Sequence, residues 1–102
     1  MIAMLYAIIA RDVPNSIALR PSVRPRHLKY LQPLVDQGRV VFAGPHPAID
    51  SPDPGPAGFT GSLIVAEFDS LEAAQAWSAR DPYTVEGVFA EVEIKPLLQV
   101  HP

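Results

Sequence analysis

The sequence of 102 residues contains no cysteine, one tryptophan and no apolar run of membrane-spanning length. Without cysteine there is no disulfide framework and no thiolate chemistry, which is compatible with the cytoplasmic location that we expect. Residues 1–10 are apolar but have neither a basic lead nor a small-residue cleavage site after them. We therefore interpret them as a strand rather than a signal peptide, and expect no membrane association.

Several signatures of cofactor and nucleophile chemistry are also missing. The sequence has no glycine pattern for a nucleotide, no Ser-His-Asp order with an elbow motif, and no haem or flavin signature. His27, His46 and Asp81 carry atoms that bind zinc or iron, but no two histidines have the short spacing that usually anchors such a site. We therefore expect no cofactor and no metal.

Charge is scarce and unevenly distributed along the chain. The net charge is −3, yet five of the eight basic residues lie in the first 29 positions, where Asp12 is the only acid. A net-negative chain with one basic cluster argues against nucleic-acid binding and favours a small anionic ligand. The alternative is that these basic side chains only solvate one face of a helix.

Periodicity and turn residues predict one domain, over residues 1–102, with six main elements. They are strand, helix, strand, strand, helix and strand, over residues 1–10, 23–37, 39–43, 61–68, 71–80 and 88–100. Ser22 is a suitable N-cap for the first helix, and Leu28, Leu31 and Val35 form its predicted buried stripe. This order is typical of the α+β, ferredoxin-like βαββαβ fold with an antiparallel sheet.

Two helices cover only one face of such a sheet. The other face would carry apolar residues from the first and third strands, and a monomer seldom leaves a patch of this kind open to water. We therefore predict a homodimer in which the open sheet faces of two copies pack against each other.

The basic cluster lies at the predicted start of the first helix. Backbone N–H groups and the helix dipole attract anions at this end, and Arg20 and Arg24 can orient an anion by paired hydrogen bonds. His27 is the side chain there whose proton normally moves near neutral pH. Ser22 can donate a hydrogen bond to the same ligand, although we interpret it first as the helix cap. We interpret Arg26 as a solvated surface residue that does not bind the anion.

Other residues have both a binding and a structural interpretation. Tyr6 and Tyr83 either line the pocket or pack as amphipathic side chains. Gly44 and Pro45 begin a long loop after the second strand, where the glycine either brings backbone N–H groups to a ligand or only makes a turn. We expect Asp12 to form a salt bridge with one of the arginines.

Asp81 precedes a proline at the end of the second helix. One interpretation is an aspartate that hydrogen-bonds its own backbone in a turn, which the residues alone favour. The other is a carboxylate that orients the imidazole of His27 for proton transfer.

Several segments in order resemble the YciI-like family. They are Asp12, LRPSVRP at residues 19–25 before His27, GPHPAIDS at 44–51, GFTG at 58–61, SLEAAQAW at 70–77 and DPY at 81–83. The resemblance implies a ferredoxin-like fold assembled as a dimeric α/β barrel, and an active site built on His27 and Asp81. Most members have no established reaction, and a related one looks like a dehydrochlorinase acting on a chlorinated hydroxyhydroquinone. Pro33 departs from the aliphatic residue expected at its position.

Two functions follow as hypotheses. The first is a small cofactor-free lyase or hydrolase, with His27 as general acid/base, Asp81 as its orienting partner, and Arg20 and Arg24 binding an anionic substrate. The second is a non-catalytic dimer that binds a small anion or serves as an accessory to a larger enzyme.

Overall fold

The computed structural model describes residues 4–102 and contains four strands and three α-helices in that range. The elements in chain order are β1 (Met4–Asp12), α1 (Leu19–Asp36), β2 (Val40–Pro47), β3 (Phe59–Phe68), α2 (Leu71–Ala79), α3 (Pro82–Val85) and β4 (Phe89–Leu97). A short 3₁₀ helix, Gly55–Ala57, lies between β2 and β3. The first three residues of the predicted N-terminal strand lie outside the described residues. None of the helices within residues 4–102 is long and apolar enough to cross a membrane.

The four strands form one antiparallel sheet in the order β2-β3-β1-β4. Strand β1 is central, and its Ile8 lies opposite Ile64 on one neighbour and Ile94 on the other. This is the predicted α+β ferredoxin-like arrangement. The apolar character of β1 on both of its faces matches its central position.

The hydrophobic core lies between the sheet and the helices. Ile8, Ile64 and Phe68 are almost fully buried on the covered face of the sheet, and Leu31 and Leu34 of α1 are buried against the same cluster. The partly buried Trp77 of α2 packs against this cluster. Ser70 caps α2, because its Oγ accepts a hydrogen bond from a backbone N–H three residues on.

The buried stripe of α1 differs from the predicted one. Leu31 is buried as expected, but Leu28 and Val35 are 42% and 46% exposed, so that part of the prediction is wrong. The buried residues of the helix are Arg20, Val23, His27, Leu31 and Leu34. Their spacing of three or four residues places His27 within the covered stripe.

The helix α1 also begins four residues earlier than predicted. Its N-cap is Ala18, which makes no side-chain cap bond, so the assignment of Ser22 as the cap is wrong. The turn that precedes the helix is closed by a backbone hydrogen bond from Arg20 N–H to the Ser16 carbonyl at 2.8 Å. Ser22 is therefore in the first turn, where its Oγ donates to the Leu19 carbonyl at 2.6 Å.

The connection after β2 is shorter than predicted. Residues 44–47 continue the strand, and Pro45 pairs with Ser62 of β3, so Gly44 and Pro45 do not begin the loop. Prolines have no N–H to donate, and they are tolerated here because β2 is an edge strand. The four-residue helix α3 was not predicted, since a single turn is too short to show a hydrophobic period.

Candidate active site

A histidine–aspartate pair joins the first helix to the segment between α2 and α3. The Nδ1 of His27 lies 2.8 Å from Oδ1 of Asp81, and both side chains are buried. The same Oδ1 accepts a hydrogen bond from the Tyr83 N–H at 2.9 Å, and Asp81 is the N-cap of α3. The turn that holds the carboxylate therefore also directs it at the imidazole, while the part of Asp81 in proton transfer stays a prediction.

Tyr83 packs against the imidazole. Its ring stacks on that of His27 with 4.0 Å between centroids and 14° between planes. The guanidinium carbon of Arg20 lies 4.7 Å from the centroid of the tyrosine ring, within the range of a cation–π contact. Burial raises the pKa of Tyr83, against the opposing effect of Arg20 and Arg24. The phenol is therefore neutral at neutral pH and keeps its O–H donor.

Arg20 is held by several hydrogen bonds to the protein. Its Nε donates to Oδ2 of Asp12 at 2.9 Å, which confirms the predicted salt bridge. Its Nη2 donates to the Gly61 carbonyl at 3.0 Å and to the Ser62 hydroxyl. Ser16 donates to the same Asp12 oxygen at 2.7 Å. This network fixes the guanidinium, so Arg20 is partly committed to structure rather than wholly free to bind a ligand.

A cavity of about 130 Å³ lies between α1 and strands β2 and β3. It brings together six of the sequence-predicted site residues, which are Arg20, Arg24, His27, Gly44, Pro45 and Tyr83. Arg24 is exposed at its edge and makes no hydrogen bond or ion pair with any residue in the described range 4–102. The cavity therefore combines a histidine, a phenol and an uncommitted cation.

Two predicted binding residues do not line this cavity. Tyr6 is buried in the hydrophobic core, where its ring meets Phe68 edge-on at 6.3 Å, because it lies on the covered face towards the other end of β1. Ser22 is exposed on α1 and bonded to the Leu19 carbonyl. The shift in the start of the helix accounts for the position of Ser22.

The sequence reasoning missed two contributors on β3. Ser62 lines the cavity and accepts from Arg20, and the Gly61 carbonyl accepts from the same guanidinium. Ser62 is 4% exposed on a strand that otherwise looks like ordinary core. The one available signal was a hydroxyl residue at a covered position of an apolar strand, since such a hydroxyl needs a buried partner.

No metal-binding cluster is found in the part of the chain that the structure describes. No three histidine or acidic side chains among residues 4–102 are grouped so as to hold an ion. His46 is exposed on β2 and does not line the cavity that contains His27. The expected absence of a metal stays a prediction.

The chain is similar to several known proteins. The YCII-related domain matches residues 4–98. Protein YciI of Escherichia coli is 58% identical over 97 residues, which cover 95% of this chain and 99% of that protein. An uncharacterized protein of Haemophilus influenzae is 47% identical over 97 residues, again with 95% and 99% coverage.

A solved structure is also similar. It is the 5-chloro-2-hydroxyhydroquinone dehydrochlorinase of Burkholderia phenoliruptrix in complex with 2,5-dihydroxybenzoquinone. The two chains are 28% identical and superpose with a TM-score of 0.80, over 90% of this chain and 91% of the other. A similar fold thus carries an enzymatic activity in that relative. From the match over residues 4–98 and the identity to Protein YciI, the chain belongs to the YCII-related domain family.

Proposed function

We propose that this protein is a small cofactor-free enzyme, a lyase or hydrolase, that acts on a small organic anion. His27 is its general acid/base, and Asp81 orients the imidazole. The observation that carries the proposal is the 2.8 Å contact between these buried side chains at the wall of a cavity.

The contact supports a defined direction of proton transfer. A carboxylate that accepts from Nδ1–H selects the tautomer in which Nε2 has the free lone pair, and it stabilises the imidazolium that forms after proton uptake. Nε2 of His27 has no hydrogen-bond partner within residues 4–102. The base therefore takes a substrate proton at Nε2 and returns it to a leaving group or to water.

The dehydrochlorinase relative suggests the reaction class. Loss of hydrogen chloride breaks a bond to hydrogen, whose electrons stay on the substrate and form a new double bond, and a carbon–chlorine bond, whose electrons leave with chloride. In this proposal His27 accepts the proton, while Arg24 and the Tyr83 hydroxyl stabilise negative charge on a substrate oxygen. Chlorinated hydroxyhydroquinones are accordingly the first compounds to test.

Chloride release measured by ion chromatography tests this proposal. His27→Phe retains a ring against Tyr83 but has no nitrogen to accept a proton, and Asp81→Asn retains the cap of α3. We expect each substitution to lower kcat by ~10²-fold or more, since a positioned general base contributes about that much. Arg26→Gln is the control, because Arg26 is exposed and lies outside the cavity. Full turnover in His27→Phe would rule out the assigned base.

The uncommitted Arg24 guanidinium also favours the alternative, a non-catalytic module that binds a small anion or assists a larger enzyme. The two functions differ in the effect of Asp81→Asn, because Asp81 bonds His27 and Tyr83 rather than an anion. Under either function, Asp81→Asn should bind 2,5-dihydroxybenzoquinone as tightly as the wild type does, as measured by calorimetry. A loss of turnover with retained binding supports the enzyme, whereas a wild-type protein that binds without turnover supports the module.

We also propose that two copies associate through the open sheet face. Strand alternation places apolar residues there, and Ile9, Phe42 and Leu97 are 38%, 51% and 38% exposed. An apolar face of this kind favours burial against a second copy. Sedimentation of the wild type should show a dimer and Ile9→Asp a monomer, and a wild-type monomer at micromolar concentration would contradict the proposal.

A further inference from the structure

We propose that the ligand has two parts, an anionic group bound by Arg24 beside His27 and an apolar arm that lies in an adjoining groove. This inference rests on the proposed function, because it assigns the substrate class of the same site. The groove has a volume of about 350 Å³ and lies between the start of α1 and the end of the β2–β3 connection.

The groove is continuous with the cavity at His27. Arg20, Arg24 and Pro45 line both spaces, so a ligand can reach from one into the other. Beyond these shared residues the wall is formed by Ile17, Pro21, Gly55, Gly58 and Phe59. Apart from the two arginines this wall is apolar, which suits hydrocarbon or an aromatic ring rather than a polar group.

The charges around the two spaces favour an anion at one definite place. Neither space is lined by an acidic residue in the described part of the chain. Arg20 already donates from Nε and Nη2 to Asp12, Gly61 and Ser62. Arg24 makes no such bond within residues 4–102, and it lies where the two spaces meet. Arg24 is therefore the cation available to the ligand.

The β2–β3 connection is built against the groove. Gly58 has a φ of +70°, and a Cβ there would come within 3.3 Å of the Ile17 side chain, so the loop packs closely on that side chain. The Ala48 N–H donates to the Gly58 carbonyl at 2.9 Å and closes the loop at its base. This packing gives the groove a formed wall, although Ile17 is 44% exposed.

The volume sets the size of the arm. A water molecule occupies about 30 Å³ in the liquid, so a groove of this volume holds on the order of ten groups of that size. A benzene ring or a chain of about six carbons fits, and each buried methylene strengthens binding by about fourfold. The inferred ligand is thus a carboxylate or phenolate with an apolar portion of that length.

Calorimetric titration with acetate, butanoate and hexanoate tests the inference, with hexanamide as the neutral probe. We expect the affinity of the wild type to rise by about fourfold per methylene, and hexanoate to bind at least tenfold more tightly than hexanamide. Arg24→Gln should weaken every carboxylate by about tenfold and leave hexanamide unchanged. Arg26→Gln, an exposed neighbour on the same helix, is the matched control.

A second pair of variants tests the groove itself. Ile17→Ser should reduce the gain with chain length while leaving acetate unchanged. Ile49→Ser is its control, because Ile49 is 52% exposed in the β2–β3 connection and does not line the groove. Equal affinity along the wild-type series, or an undiminished gain in Ile17→Ser, would overturn the inference. If the affinity does not rise along the carboxylate series while His27→Phe still abolishes chloride release, the inference is wrong and the proposed function survives. If the affinity rises along the series but the wild type releases no chloride, the two-part ligand belongs to a binding module.

Discussion

The buried pair of His27 and Asp81 should be strongly coupled in stability as well as in function. A double-mutant cycle measures this coupling without a substrate. His27→Phe keeps an aromatic ring stacked on Tyr83, and Asp81→Asn keeps an acceptor for the Tyr83 N–H. His27→Phe removes the contact between the two side chains, whereas Asp81→Asn keeps the Oδ1 acceptor and removes its negative charge. Both substitutions retain the local packing.

The magnitudes follow from the burial of the two groups. The side chains of His27 and Asp81 are 9% and 2% exposed, so the phenylalanine variant leaves a carboxylate out of water with the Tyr83 N–H as its one donor among residues 4–102. We expect His27→Phe to cost about 3 kcal/mol and Asp81→Asn about 2 kcal/mol of unfolding free energy. The double variant should cost about 3 kcal/mol, because it buries no uncompensated charge, which leaves a coupling of about 2 kcal/mol.

Urea denaturation followed by the fluorescence of Trp77, at one protein concentration, provides the four free energies. The control cycle uses Arg26 and Glu86, whose 3.3 Å ion pair joins the same two parts of the fold but is 58% and 42% exposed. Its coupling should be about 0.5 kcal/mol or less, since water screens an exposed pair. Additive effects for His27 and Asp81, within about 0.5 kcal/mol, would refute the buried pair.

Three further predictions concern stability. Gly61→Ala should lower the unfolding free energy by about 1–3 kcal/mol in thermal melts, because its Cβ would clash with the Ala10 carbonyl oxygen. A Cβ at Gly44 meets nothing within 4 Å, so Gly44→Ala should change the unfolding free energy by no more than about 0.5 kcal/mol. Burial raises the pKa of Tyr83 in the folded protein, so stability should fall as pH rises above about 10, and less steeply in Tyr83→Phe when both are followed by urea denaturation. Ser70→Ala should cost about 1 kcal/mol in the same assay, since it removes the cap of α2.

The element order and the sheet could be predicted because they depend on local patterns. The apolar run that includes Ile8 and Ile9 is consistent with a central strand, and the alternation in β4 with a half-buried one. The cap at Ser70 and the stop before Pro82 needed only neighbouring residues. The family resemblance then identified His27 and Asp81, which the structure places 2.8 Å apart.

Features that depend on distant contacts could not be predicted in the same way. Leu28 and Val35 fit the helical period as well as the residues that are buried. Contacts of Val23 and His27 with the α3 region decide which side of α1 is covered. The support of Arg20 by Ser62 depends on the sheet register that sets Ser62 opposite Ala10. No local pattern of residue types contains that register.

The helix α3 shows why fold and site are joined in this protein. A single turn of four residues is not stable alone, since helix nucleation costs more than one hydrogen bond returns. Its first residue, Pro82, has no N–H to leave unpaired, and Asp81 caps it. Tyr83 is almost fully buried against His27 and Arg20. The contacts that orient the imidazole are thus the contacts that hold the turn. A variant that deletes them lowers the amount of folded protein together with any turnover, so rates must be compared between variants that preserve the cap and the stack.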